Sequence, residues 1–126
     1  MKTQGEIEAA VCEAMARFMQ EFMGRGPKEI RAHLVGNLVL VRLLGILSPA
    51  ETSLAAVRPP EKGRDLLKDT RTYLIEMSRA RIDSFVYECT DVDCVSMHHD
   101  ISTITGEEVF VFTLSGSPEL REMKRR

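Results

Sequence analysis

The stretch Glu29-Ile30-Arg31-Ala32-His33-Leu34-Val35-Gly36-Asn37-Leu38-Val39-Leu40-Val41-Arg42-Leu43-Leu44-Gly45-Ile46 decides the fold. Gly36-Asn37 suits a tight two-residue turn, and the runs on either side have strand character, so Glu29–Val35 and Leu38–Ile46 read as a β-hairpin. If Val35 pairs with Leu38, then Ile30, Ala32, Leu34, Val39, Val41 and Leu43 share one wholly apolar face. The other face carries Arg31, His33 and Val35 beside Leu38, Leu40, Arg42 and Leu44. That mixture is too apolar for open water and too charged for a core, which marks it as a candidate face for contact with a second copy.

Before the hairpin, residues from roughly Thr3 to Met23 read as one helix. Ile7, Val11, Ala14, Met15, Phe18 and Phe22 recur at helical spacing, with Glu6, Glu13, Gln20 and Glu21 opposite. Gly24-Arg25-Gly26-Pro27 closes it, because glycine takes the left-handed conformation of a helix end and proline cannot continue a helix. After the hairpin, Ser48-Pro49-Ala50-Glu51 spells a capped helix start with a capping box. That short helix ends near Val57, before Pro59-Pro60. A long helix is expected over roughly Glu61 to Glu88, with Leu67, Thr70, Leu74, Met77, Ile82 and Phe85 buried. Arg81 falls in this apolar stripe and should snorkel or find a carboxylate.

A second hairpin is expected from Val92–Ile101 and Glu108–Leu114, joined by 102–107. Its last strand is apolar on both sides, with Val109 and Val111 on one and Phe110, Phe112 and Leu114 on the other, so both sides need cover. Phe110 and Phe112 join the first hairpin's mixed face as candidates for a dimer contact. The expected fold is α+β in two layers: a four-stranded antiparallel sheet from two hairpins, with helices on one face, in the order helix–hairpin–helices–hairpin. Residues 1–117 form one domain, and 118–126 form a charged, mobile tail containing Arg121, Lys124, Arg125 and Arg126.

The chain has 126 residues, 44% hydrophobic and 29% charged, with a formal net charge of −2. These are globular values, and the charge offers no field for nucleic acid. The longest apolar stretch, Leu38 to Leu47, is about half the length of a membrane-spanning helix. Neither a leader peptide nor membrane insertion is expected. Three unevenly spaced cysteines, Cys12, Cys89 and Cys94, suggest reduced thiols and a cytoplasmic location.

Chemistry has few footholds. Cys94, His98, His99 and Asp100 could be metal ligands by type, but neighbouring side chains on a strand point to opposite faces. His98 and His99 therefore cannot share one ion, and no metal and no cofactor are expected. His98 and Asp100 are read as hydrogen-bonded beside the sheet, with Asp100 orienting an imidazole. Gly24-Arg25-Gly26-Pro27-Lys28 could cradle an anion but lacks the strand-to-helix setting of a phosphate loop. No catalytic triad or carboxylate pair stands out, so the chain reads as leaning away from an enzyme. His98, Asp100, Ser102, Thr103, Thr105 and Glu107, at the end of the second hairpin, are the candidate docking residues, since loops on a rigid sheet present recognition groups. The alternative is a small-anion or metal-binding module using Arg25, Lys28, His33, His98 and Asp100. A third reading is an enzyme with an unrecognised site.

Several motifs together resemble the MpsC family: Gly24-Arg25-Gly26-Pro27, Val41-Arg42-Leu43-Leu44-Gly45, Ser48-Pro49-Ala50-Glu51 and Gly63-Arg64. To these the second hairpin adds His98-His99-Asp100-Ile101-Ser102-Thr103, Thr105-Gly106-Glu107 and Val111-Phe112-Thr113-Leu114. The resemblance runs along essentially the whole chain, departing at Val92-Asp93 and Cys94. It implies an accessory or regulatory protein of a membrane-associated system, in inorganic-carbon or ion transport, with a membrane-associated protein partner. It brings no catalytic residues with it.

Overall fold

The computed structural model describes residues 1–121. Helix α1 (Gln4–Phe18) starts on a capping box between Thr3 and Glu6 and buries Ile7, Val11, Met15 and Phe18. Its continuation, Met19–Met23, loosens into a π-helical turn that Gly24 ends at φ 83°. Strands β1 (Glu29–Val35) and β2 (Leu38–Leu44) follow, and Val35 does pair with Leu38. Helix α2 (Pro49–Ala55) has the Ser48–Glu51 capping box. Strands β3 (Cys94–Ile101) and β4 (Glu108–Leu114) form the second hairpin.

The sheet order is β1-β2-β4-β3, so the two hairpins join side by side through antiparallel β2 and β4. On one face, Ala32, Leu34, Val39, Val41, Leu43, Phe110, Phe112, Leu114, Met97 and Ile101 are buried with Val11, Met15 and Phe18 of α1 and Ile75, Ile82 and Val86 of the later helices. This is the α+β, two-layer arrangement expected, with the helices on one face. Phe110 and Phe112 belong to that core and are fully buried, so they do not belong to an outer dimer face. The register explains it: Phe110 pairs with Val41 and Phe112 with Val39, both on the helix side.

The expected long helix is two helices, α3 (Pro60–Met77) and α4 (Arg79–Thr90), which meet at Ser78. Their buried line is also different. Gly63, Leu67, Arg71, Ile75, Ser78, Ile82, Val86 and Cys89 follow one another at spacings of three and four. Thr70 and Met77 are exposed. Gly63, Arg71 and Ser78 are small or polar, so hydropathy shifts the expected stripe round the helix to Thr70, Leu74 and Met77. Arg81 does find a carboxylate, Glu21, and lies over the Phe18 ring with its guanidinium carbon 5.3 Å from the centroid.

After β4 the chain returns to the start of α1. The Arg121 amide donates to the Lys2 carbonyl at 2.9 Å, and its guanidinium pairs with Glu6 at 2.9 Å. The remainder of the expected tail, with Lys124, Arg125 and Arg126, lies outside the described residues.

Candidate functional site

In β3, strand alternation sends His98 and Asp100 to the uncovered sheet face and His99 inward. His99 stacks on Phe110 at 5.3 Å between centroids, and its Nε2 is 4.0 Å from a Glu76 carboxylate oxygen. Asp100 does not orient an imidazole. Its carboxylate accepts from Lys68 Nζ at 2.8 and 3.0 Å and from its neighbour's amide, Ile101 N, at 2.8 Å. The Lys68 hydrogen bond is the main cause holding the Asp100 carboxyl below its ordinary pKa, against the opposing effect of burial. Cys94 also leaves the face given to it by simple alternation. A bulge between Cys94 and Ser96 pairs Cys94 with Leu114 and turns it toward the core, where its sulfur donates to the Ser96 carbonyl at 3.3 Å. Among the described residues, no three His, Cys, Asp or Glu side chains gather as a metal-ligand set. Burial is the main cause raising all three cysteine thiols above their ordinary pKa. They therefore stay protonated near neutrality and make poor nucleophiles.

The connecting loop 102–107 is tied largely to itself. Ser102 Oγ accepts from the amides of Ile104 and Thr105, and Thr105 Oγ1 accepts from the amide of Glu107. Gly106, at φ 77°, donates its amide to the Ser102 carbonyl at 2.7 Å. The Glu107 carboxylate takes Arg42 Nε and Nη2 at 2.9 and 2.7 Å. Ser102, Thr105 and Glu107 thus shape the hairpin end. The side chain left projecting is Ile104, 95% exposed, an apolar residue that a search for hydrogen-bonding groups passes over.

The uncovered sheet face runs in three rows across the strands. Arg31, Arg42, Val109 and Asp100 make the first, and His33, Leu40, Val111 and His98 the second. Val35, Leu38, Thr113 and Ser96 make the third. Leu44 lies on this face at the end of β2. Apart from Arg42, mainly apolar side chains occupy the two inner strands of the face, with Arg31 and His33 on its β1 edge and Asp100 on its β3 edge. His33 and His98 sit in one row but on opposite edge strands, three strand spacings or roughly 14 Å apart. They cannot hold one small ligand.

The ligand set Arg25, Lys28, His33, His98 and Asp100 is therefore split. Arg25 and Lys28 come together at an open cleft of about 690 Å³ between the end of β2, helix α2 and the 102–107 loop. Lys28 is positioned by Gly45. Its amide donates to the Leu44 carbonyl at 2.9 Å, and its stem crosses Gly45 2.7 to 2.8 Å from where a Cβ would stand. With φ at 67°, Gly45 has a conformation that also disfavours any side chain.

A further site was hidden from the sequence. Arg71, 2% exposed, makes a fork to the fully buried Glu108, with Nε and Nη2 donating at 3.1 and 2.8 Å. Its Nη1 donates to Glu51 at 2.6 Å. Burial disfavours the Arg71 charge, but the Glu108 and Glu51 carboxylates outweigh it and raise the pKa. Burial likewise works against the Glu51 carboxylate, and the Ser48 amide and Arg71 hold its pKa below 4.5. The cluster joins α2, α3 and β4, and its satisfied hydrogen bonds give it a structural role. The signal was an arginine at the i+4 position between Leu67 and Ile75.

Comparison with known proteins bears on the whole chain. The chain is similar to the uncharacterised protein YbcI of Bacillus subtilis (strain 168), 29% identical over 118 residues, which are 94% of this chain and 93% of that protein. No solved structure matches significantly. No helix among the described residues is long and apolar enough to cross a membrane. A family profile matches residues 3–116, and by that match the chain belongs to MpsC, the family described as "Na+-translocating membrane potential-generating system (MpsC)".

Proposed function

We propose that this chain is a non-enzymatic accessory or regulatory protein of a membrane-associated, ion-translocating system, acting through protein–protein contacts. The uncovered sheet face carries this reading. Leu38, Leu40, Leu44, Val109 and Val111 crowd its middle, and a face of that kind is a contact surface rather than a reaction vessel. The family description supplies the setting.

Two contacts divide the work. A second copy covers the sheet face, and the end of the second hairpin reaches the membrane-associated component. In the second contact, Ile104 is the anchor and Thr103 stands beside it. Ser102, Thr105 and Glu107 hold the loop in shape, so replacing them tests folding as much as docking. Ile104→Asp is the cleaner probe, because the side chain is almost wholly exposed and its loss leaves the core intact. Tagged protein should sediment with membranes of its native cells, and Ile104→Asp should abolish this without moving the thermal midpoint. A folded Ile104→Asp protein that still sediments with membranes would remove the hairpin end from the contact.

A further inference from the structure

We infer that the cleft beside Arg25 and Lys28 is a binding site for a small organic anion, one carboxylate or phosphate group on an apolar body. Of all buried side-chain nitrogen and oxygen atoms among the described residues, Arg25 Nε is the one without a hydrogen-bond partner. An unsatisfied guanidinium N–H is costly to bury, and Arg25 keeps donor capacity that no protein group uses. Arg17, Arg31, Arg42, Arg64, Arg71, Arg79, Arg81 and Arg121 each have a carboxylate partner, whereas Arg25, Lys28 and the exposed Arg58 have none among the described residues; of the two unpaired arginines, Arg25 is the half-buried one.

The two cations line the same cleft, and no aspartate or glutamate lines it with them. Guanidinium and ammonium groups bind carboxylate and phosphate oxygens through short, charge-assisted hydrogen bonds. Thr103 and Thr105 border the cleft and add hydroxyls. Ile46 and Leu47 line it too, so the wall is partly hydrocarbon. At about 690 Å³ the cleft falls within the size of small-molecule sites and far exceeds a bare inorganic ion. Charge at one part of the wall and hydrocarbon at another fit a ligand with both. Gly45 supports the site from below, since any Cβ there would collide with the Lys28 stem.

The cleft shares Thr103 and Ile104 with the hairpin end, but this inference does not rest on the docking reading, and the purified protein alone tests it. Phenyl phosphate, benzoate, inorganic phosphate and the uncharged benzyl alcohol are titrated into ¹⁵N-labelled protein and followed by NMR. Phenyl phosphate or benzoate should shift the Arg25 Nε–H signal and the backbone amides of residues 45–47 and 103–106. Which of the two binds more tightly separates phosphate from carboxylate. Inorganic phosphate should bind more weakly than the better organic anion, and benzyl alcohol should leave the Arg25 signal unmoved. Arg25→Gln and, independently, Lys28→Met should each weaken binding about tenfold or more. The inference is overturned if neither organic anion binds by about 10 mM, beyond the weak end of useful affinity. Shifts that lie elsewhere, binding of benzyl alcohol as tight as that of the anions, or indifference to both substitutions would overturn it equally.

Discussion

Arg71 shows how one residue sets the terms for its neighbours. A guanidinium at 2% exposure is tolerable because its fork meets Glu108 and its third nitrogen meets Glu51. Removing it strands a fully buried carboxylate, and breaking a buried pair from one side costs roughly 3–5 kcal/mol. Arg71→Met should therefore lower the urea unfolding free energy by about that much. Arg71→Lys should also destabilise, since an ammonium cannot reproduce the fork. A loss below about 1 kcal/mol for Arg71→Met would show that the cluster is not fastening the fold. The same cluster sets an acid limit. The Glu51 carboxyl has a folded-state pKa below 4.5, so its stabilisation is complete above that value and is lost as pH falls through the lower, folded-state pKa. Thermal midpoints measured downward from pH 5 should fall less steeply in Glu51→Gln than in the wild type, from a lower starting point. Glu51 is legible in the sequence as the capping-box partner of Ser48. Its second bond is not, because it depends on Arg71 lying in the buried line of α3, where an arginine reads as solvent-facing.

At the scale of elements, the sequence resolves the hairpins better than the helices. A two-residue turn fixes the register of β1 and β2, and alternation then assigns every side chain to a face. The second hairpin resists where alternation fails, at the Cys94–Ser96 bulge, which moves one side chain across the sheet without a signal in hydropathy. Helices α3 and α4 resist for another reason: the buried line passes through Gly63, Arg71 and Ser78. Gly63 is there because α2 and α3 touch. A Cβ on Gly63 would stand 2.1 Å from the Leu54 carbonyl oxygen and 3.3 Å from Val57 Cβ. Backbone cannot yield as a side-chain tip can, so Gly63→Ala should destabilise by roughly 1–3 kcal/mol, the usual range for overpacking. Gly5→Ala is the control, since its added methyl meets nothing within 4 Å and a helical glycine-to-alanine change is worth roughly 0.5–1 kcal/mol in the opposite direction. Urea denaturation of the two variants should move in opposite directions. Equal tolerance at both sites would mean that α2 does not hold its place against α3.

For the whole molecule, the question is what covers the sheet. The rows of the uncovered face suit a second copy related by a two-fold axis parallel to the strands. Such an axis reverses each row upon itself, because it exchanges the β1 edge of one copy with the β3 edge of the other. Arg31 then faces Asp100 of the second copy and Leu40 faces its Val111, while Arg42, already paired with Glu107, lies over its Val109, so the middle is apolar apart from Arg42 and the edges carry opposite charge. Asp100 is free to take part: its side chain keeps 73% of its exposure despite the bond to Lys68. An axis perpendicular to the strands would instead lay Arg31 near Val35 and lose this match. The arrangement predicts a dimer in light scattering at tens of micromolar, roughly the concentration where micromolar interfaces fill. Leu40→Glu should give a folded monomer. Arg31→Glu should raise the dimer dissociation constant about tenfold, a modest coupling for a charge pair at the edge of an interface. Adding Asp100→Lys to Arg31→Glu should restore most of the affinity, since the swapped charges meet again across the axis. If the double variant stays as weak as Arg31→Glu alone, the axis does not run along the strands. If the wild type is monomeric at these concentrations, the face is left for a partner of another sequence.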